Sequence, residues 1–101
     1  MSNSRLSYHS EFELMKKALA EDKGIRAPIG SREATMLYRL KLNKARALDR
    51  KLNKDIYEVG HILHGGSEFD ELVFTVREDE SGEWWVYLEK AMVPTHVEAI
   101  E

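Results

Sequence analysis

The 101-residue chain has no cysteine. That excludes disulfides, thiolate catalysis and every cysteine-ligated metal site. Two prolines and six glycines are too few for a low-complexity or collagen-like chain. No apolar run approaches the roughly 18 residues of a membrane span. The stretch Met1-Ser2-Asn3-Ser4-Arg5-Leu6-Ser7 lacks the apolar segment of a signal peptide. The expected setting is cytoplasmic, with no membrane partner.

Charge is plentiful and unevenly placed. The formal net charge of −3 hides a split: residues 23–54 carry ten basic side chains against Glu33 and Asp49. Residues 55–101 carry twelve acidic side chains against Arg77 and Lys90. Such asymmetry points to a charged partner, or to a second copy in which the two halves meet. A pI of 5.8 weighs against a binder of duplex nucleic acid.

The pattern predicts one domain over 1–101, with a flexible segment over 1–9. Ser10-Glu11-Phe12-Glu13 has the form of a capping box. Phe12, Met15, Ala18 and Leu19 then recur at helical spacing, which predicts a short helix over 10–23 stopped near Gly24. Ile25 to Gly30 reads as an extended connector, because Pro28 disfavours helix at Ala27. Ser31 caps a long basic helix over 31–53, free of glycine and proline between Arg32 and Leu52. Residues 55–71 are ambiguous, with 56–63 a candidate strand or short helix and His64-Gly65-Gly66-Ser67 a loop.

Leu72–Arg77 and Trp84–Glu89 are rich in β-branched and aromatic residues and flank Asp79-Glu80-Ser81-Gly82. They predict a hairpin over 72–89, with Val93-Pro94 and the residues after it adding a strand or lying over the sheet. An isolated hairpin is marginal in water. The expected fold is therefore α+β: a short and a long helix packed on a small antiparallel sheet built around that hairpin.

Four arginines of the long helix, Arg32, Arg39, Arg46 and Arg50, fall on one stripe at 3.6 residues per turn, with Asn43 among them and Lys44 and Lys51 on the flank. Ala34, Leu37, Tyr38, Ala45, Leu48 and Leu52 lie opposite and are expected to pack on the sheet. Guanidinium groups match phosphates bidentately, so the stripe predicts a nucleic-acid contact, DNA or RNA. The competing reading is a solvated face, or one neutralised by the acidic half. Arg77, Trp85 and Tyr87 share one face of the hairpin, as a stacking platform or a protein interface. His61 and His64, with Glu68 or Asp70, are a weak metal pattern. The residues call for no cofactor and no catalytic group. The leading expectation is a non-enzymatic nucleic-acid-binding protein. The alternative is a protein-interaction or inhibitor module, self-associating or not, that uses the aromatic hairpin face or the acidic half.

Overall fold

The computed structural model describes residues 5–91. A 3-10 turn, Arg5–Tyr8, leads into α1, His9–Ala20. Then follow β1 (Gly24–Gly30), α2 (Arg32–Ile56), a second 3-10 turn (Glu68–Glu71), β2 (Leu72–Glu78) and β3 (Trp84–Lys90). The fold is α+β. The strands form one antiparallel sheet in the order β1-β3-β2, so the hairpin strand β3 is central. The unit β1-α2-β2 is thus a crossover split by β3. Both helices pack on the same face of the sheet.

The third strand comes from residues 24–30, not from 56–63. Ile25, Ala27 and Ile29 alternate toward the helices, with Arg26 and Pro28 on the other side. Alternation of period two is the strand signal, and Pro28 is tolerated because this is an edge strand. Gly24 is bound to its position: its φ is +100°, and a Cβ there would run into the Leu88 carbonyl oxygen. It serves the pairing of β1 with β3 and is not the cap of α1. Residues 57–67 form turns that lead back from α2. The segment from Val93 onward lies outside the described residues.

Two caps contrast. Ser31 accepts from the Ala34 amide at 3.1 Å, and the Thr35 hydroxyl donates to the Ser31 carbonyl at 2.7 Å. Ser10 caps nothing: α1 begins a residue earlier, and the Ser10 hydroxyl donates to Glu11. The capping box forms instead at Ser67-Glu68-Phe69-Asp70, where it turns the chain into β2.

The core is Phe12, Met15 and Ala18 of α1, Leu42 and Ala45 of α2, and Phe69, Leu72, Phe74, Val86 and Leu88 beneath them. Each large apolar side chain among these contributes about 1.5–3 kcal/mol by leaving water. The buried stripe of α2 is Thr35, Leu42, Ala45, Asp49 and Asn53. Of the arc expected there only Ala45 is fully buried; Leu37 is 54% exposed. The helix is turned about a quarter revolution from the expected orientation.

The reason is polar. Ser67 donates to the Asp49 carboxylate at 2.6 Å, and Asn53 donates to the Gly66 carbonyl at 2.8 Å. Burying these groups is tolerable only because each has a partner, and Ser67 and Gly66 both lie in the turn before β2.

Candidate functional site

The quarter turn gives α2 two different cationic sides. On the arginine side, the stripe runs along the sheet at β2. Arg46 Nη1 donates to the Phe69 carbonyl at 3.1 Å and the Leu72 carbonyl at 2.6 Å, while Nη2 donates to Asn43 at 3.2 Å. Its guanidinium carbon lies 4.4 Å from the centre of the Phe74 ring. Burial, and then the neighbouring Arg50, lower the Arg46 pKa from the usual arginine value, with Asp70 opposing. Arg50 grips Asp70 at 2.6 and 2.7 Å. Arg32 lies over Trp84, 5.9 Å from its ring centre. Arg39 is exposed and forms no ion pair among the described residues.

On the other side, Lys41, Lys44 and Lys51 are exposed, also without an ion pair among the described residues. Lys44 and Lys51 border a recess of about 290 Å³ whose other walls are Tyr8, Ala47 and Leu48. Met36, Leu37 and Leu40 continue an apolar ridge beside them, exposed like Ile56, Val59 and Ile62 at the far end of α2. Of the cations in residues 23–54, only Arg50 forms a salt bridge with the acidic half among the described residues.

The sheet face away from the helices holds Arg77, Trp85 and Tyr87 together and adds Arg26. The Arg26 guanidinium lies 4.1 Å from the Trp85 ring centre and donates to the Tyr87 hydroxyl at 3.2 Å. Arg77 lies 4.3 Å from the Tyr87 ring and pairs with Glu89 at 2.6 Å. The aromatic rings are thus already met by guanidinium groups, and Glu89 neutralises one of the two. The hairpin loop beside them is knotted on Asp79. One carboxylate oxygen accepts from the Ser81 amide, the Ser81 hydroxyl and the Glu83 amide; the other accepts from the Trp85 indole at 2.7 Å. The hydrogen bonds from Ser81 and Trp85 hold this carboxyl at a pKa of about 2.

The four residues of the metal pattern do not converge. His61 Nδ1 accepts from the Leu63 amide at 3.0 Å, and its ring stacks on Tyr57 at 4.3 Å. His64 Nδ1 donates to the Tyr57 carbonyl at 2.8 Å. Asp70 is engaged by Arg50 and by the Ser67 amide, and Glu68 is exposed. Among the described residues no group of three or more His, Asp and Glu is placed to hold a metal ion, and no helix is long and apolar enough to cross a membrane.

Three participants escaped the sequence reading. Arg26 is marked only by the alternation of Ile25, Ala27 and Ile29 around it. Tyr8 and Asp79 carry no pattern of their own; their roles arise from what folds against them. Comparison of the chain with protein-family models, with curated proteins and with solved structures finds no match.

Proposed function

We propose that the protein is a non-enzymatic nucleic-acid-binding protein that uses the lysine side of α2. The observation that carries this reading is Lys44 and Lys51: exposed, without an ion pair among the described residues, and set on either side of a recess with a tyrosine in its wall. Seven residues of helix place the two lysines about 10 Å apart along the axis, on one line. Ammonium groups so placed meet successive phosphates of a backbone, and the Tyr8 ring offers an unpaired base a surface to stack on. The arginine stripe takes no part in this contact, since Arg46 and Arg50 are already held within the molecule and Arg39 lies on the other side of the helix. A nucleic-acid ligand also favours a cytoplasmic location.

The test is binding of a mixed-sequence single-stranded oligonucleotide across a salt series. Affinity should fall steeply as salt rises, because each neutralised phosphate releases a counterion. Lys44→Glu with Lys51→Glu should weaken binding at least tenfold and flatten the salt slope by about two. A wild-type protein that binds neither DNA nor RNA at low salt ends this reading.

A further inference from the structure

The two edges of the sheet are finished differently. On β1 the Lys90 amide donates to the Lys23 carbonyl. Odd-numbered residues therefore face β3, and Pro28, with no N–H to offer, faces outward. The register also breaks between Pro28 and Gly30. Proline and a bulge are the usual devices that stop an edge from pairing.

The outer edge of β2 has neither. Its seven residues pair with β3 without a break, and among the described residues β3 is its one partner. The Ala91 amide bonds the Glu71 carbonyl and the Asp79 amide bonds the Glu83 carbonyl, so the ladder to β3 runs through odd-numbered residues. Even-numbered residues turn their N–H and C=O groups outward. Those of Leu72 are taken within the chain: its amide bonds the Phe69 carbonyl, and its carbonyl accepts from Arg46. Those of Phe74 and Val76 meet no partner among the described residues.

Thr75 stands between these two and carries an unmet group of its own. Its Oγ1 is buried without a hydrogen-bond partner, and among the described residues it is the one side-chain atom in that position. A buried polar group left unpaired is uncommon enough to need a reason.

β2 is complementary to itself about this residue. In an antiparallel pair centred on Thr75, Phe74 of each copy lies opposite Val76 of the other. On the helix side that sets an aromatic against a β-branched side chain, and the outward groups of the two residues exchange their backbone hydrogen bonds. The two threonines meet at a non-hydrogen-bonded position, where side chains come closest, and a turn about χ1 lets one hydroxyl donate to the other. Val73 falls opposite Arg77, and Glu78 falls opposite Leu72, whose carbonyl is held by Arg46. No like charges face each other. Glu78, exposed and without an ion pair, comes to a guanidinium that has no carboxylate of its own among the described residues. The next register, centred on Val76, sets Phe74 against Glu78 and leaves the threonine hydroxyl unmet.

We propose that the outer edge of β2 is where two copies of this chain join, antiparallel about Thr75, into one six-stranded sheet. Phe74 and Val76 supply the backbone pairing, and Thr75 fixes the register. The joint shares no residue with the lysine side, and the proposal stands independently of nucleic-acid binding.

The test uses the full chain. Sedimentation velocity across a concentration series should show the mass rising from 11.7 kDa to twice that value. The Phe74 and Val76 amides should exchange fast in dilute protein and become protected as the dimer forms. Val76→Pro gives β2 the outward proline that β1 already has, and it should stay monomeric at every concentration. Protection of the Thr75 and Arg77 amides, which face β3, establishes that this variant is folded. Thr75→Lys needs no backbone change and decides alone if Val76→Pro does not fold. It sets two ammonium groups opposite each other and should weaken dimerisation about tenfold or more. A wild type that stays at 11.7 kDa overturns the proposal and leaves the edge to a different protein. A dimer of undiminished affinity in either folded variant overturns it, as does a dimer in which both amides stay fast. Protection that does not depend on concentration overturns it too, and assigns the edge to the chain itself.

Discussion

The arginine and lysine sides of α2 belong to one helix and carry the same sign, yet they do different work. Arg46 and Arg50 are held by Phe69, Leu72 and Asp70, so they join the helix to the start of β2. Lys44 and Lys51 meet no carboxylate among the described residues and leave their charge to the solvent. The chemistry of the two groups explains the division. A guanidinium is planar, has five donors and is weakly hydrated, so it can satisfy two carbonyls and cover a phenyl ring at once. An ammonium is strongly hydrated and stays in water. Position on the helix, not the count of cations, separates the side held within the fold from the side left to the solvent.

Substitutions sharpen the contrast. The largest effect is expected from the leucines that mark the inner and outer faces. Leu42→Ala empties a fully buried site and should cost about 2–5 kcal/mol. Leu40→Ala, on a side chain 47% exposed, should cost less than about 1 kcal/mol. Urea denaturation of the two variants measures both, and equal losses would mean that α2 is not turned as described.

Next come the cations. Arg46→Ala leaves the Leu72 carbonyl without its guanidinium donor and the Phe69 carbonyl with the Leu72 amide alone, and should cost about 1–3 kcal/mol. Lys44→Ala and Lys51→Ala should each stay within about 0.5 kcal/mol. A lysine variant as damaging as the arginine one would erase the distinction between the sides.

The smallest effect concerns the hairpin loop, away from α2. The Asp79 carboxyl has its pKa lowered from 3.8 to about 2, through hydrogen bonds to the charged form. Its contribution to stability is complete above about pH 4 and is lost as the pH falls through about 2. The Trp85 indole proton should follow that titration in an NMR series. Asp79→Asn should abolish the response while leaving the lysine and arginine sides unchanged.

The hairpin and both helices were legible in the sequence because their signals are local. β-Branched and aromatic runs around a glycine-containing loop specify 72–89 almost unaided. Ser31 followed by a glycine-free run specifies α2. Ser10 shows the limit of a local motif: the same residue types form a box at Ser67–Asp70 and none at Ser10–Glu13. β1 was hidden because Pro28 reads as a breaker until an edge position makes its missing N–H harmless.

The amino-acid sequence by itself determined the α+β class, the charge split and the four arginines in line. None of these depends on what packs against what, because each follows from the spacing of residue types along the chain. Only the tertiary structure decided which way α2 faces. Helix periodicity fixes the angles between side chains and leaves the rotation of the whole helix free. Asp49, Asn53 and Arg46 set that rotation, by finding their partners in the turn before β2.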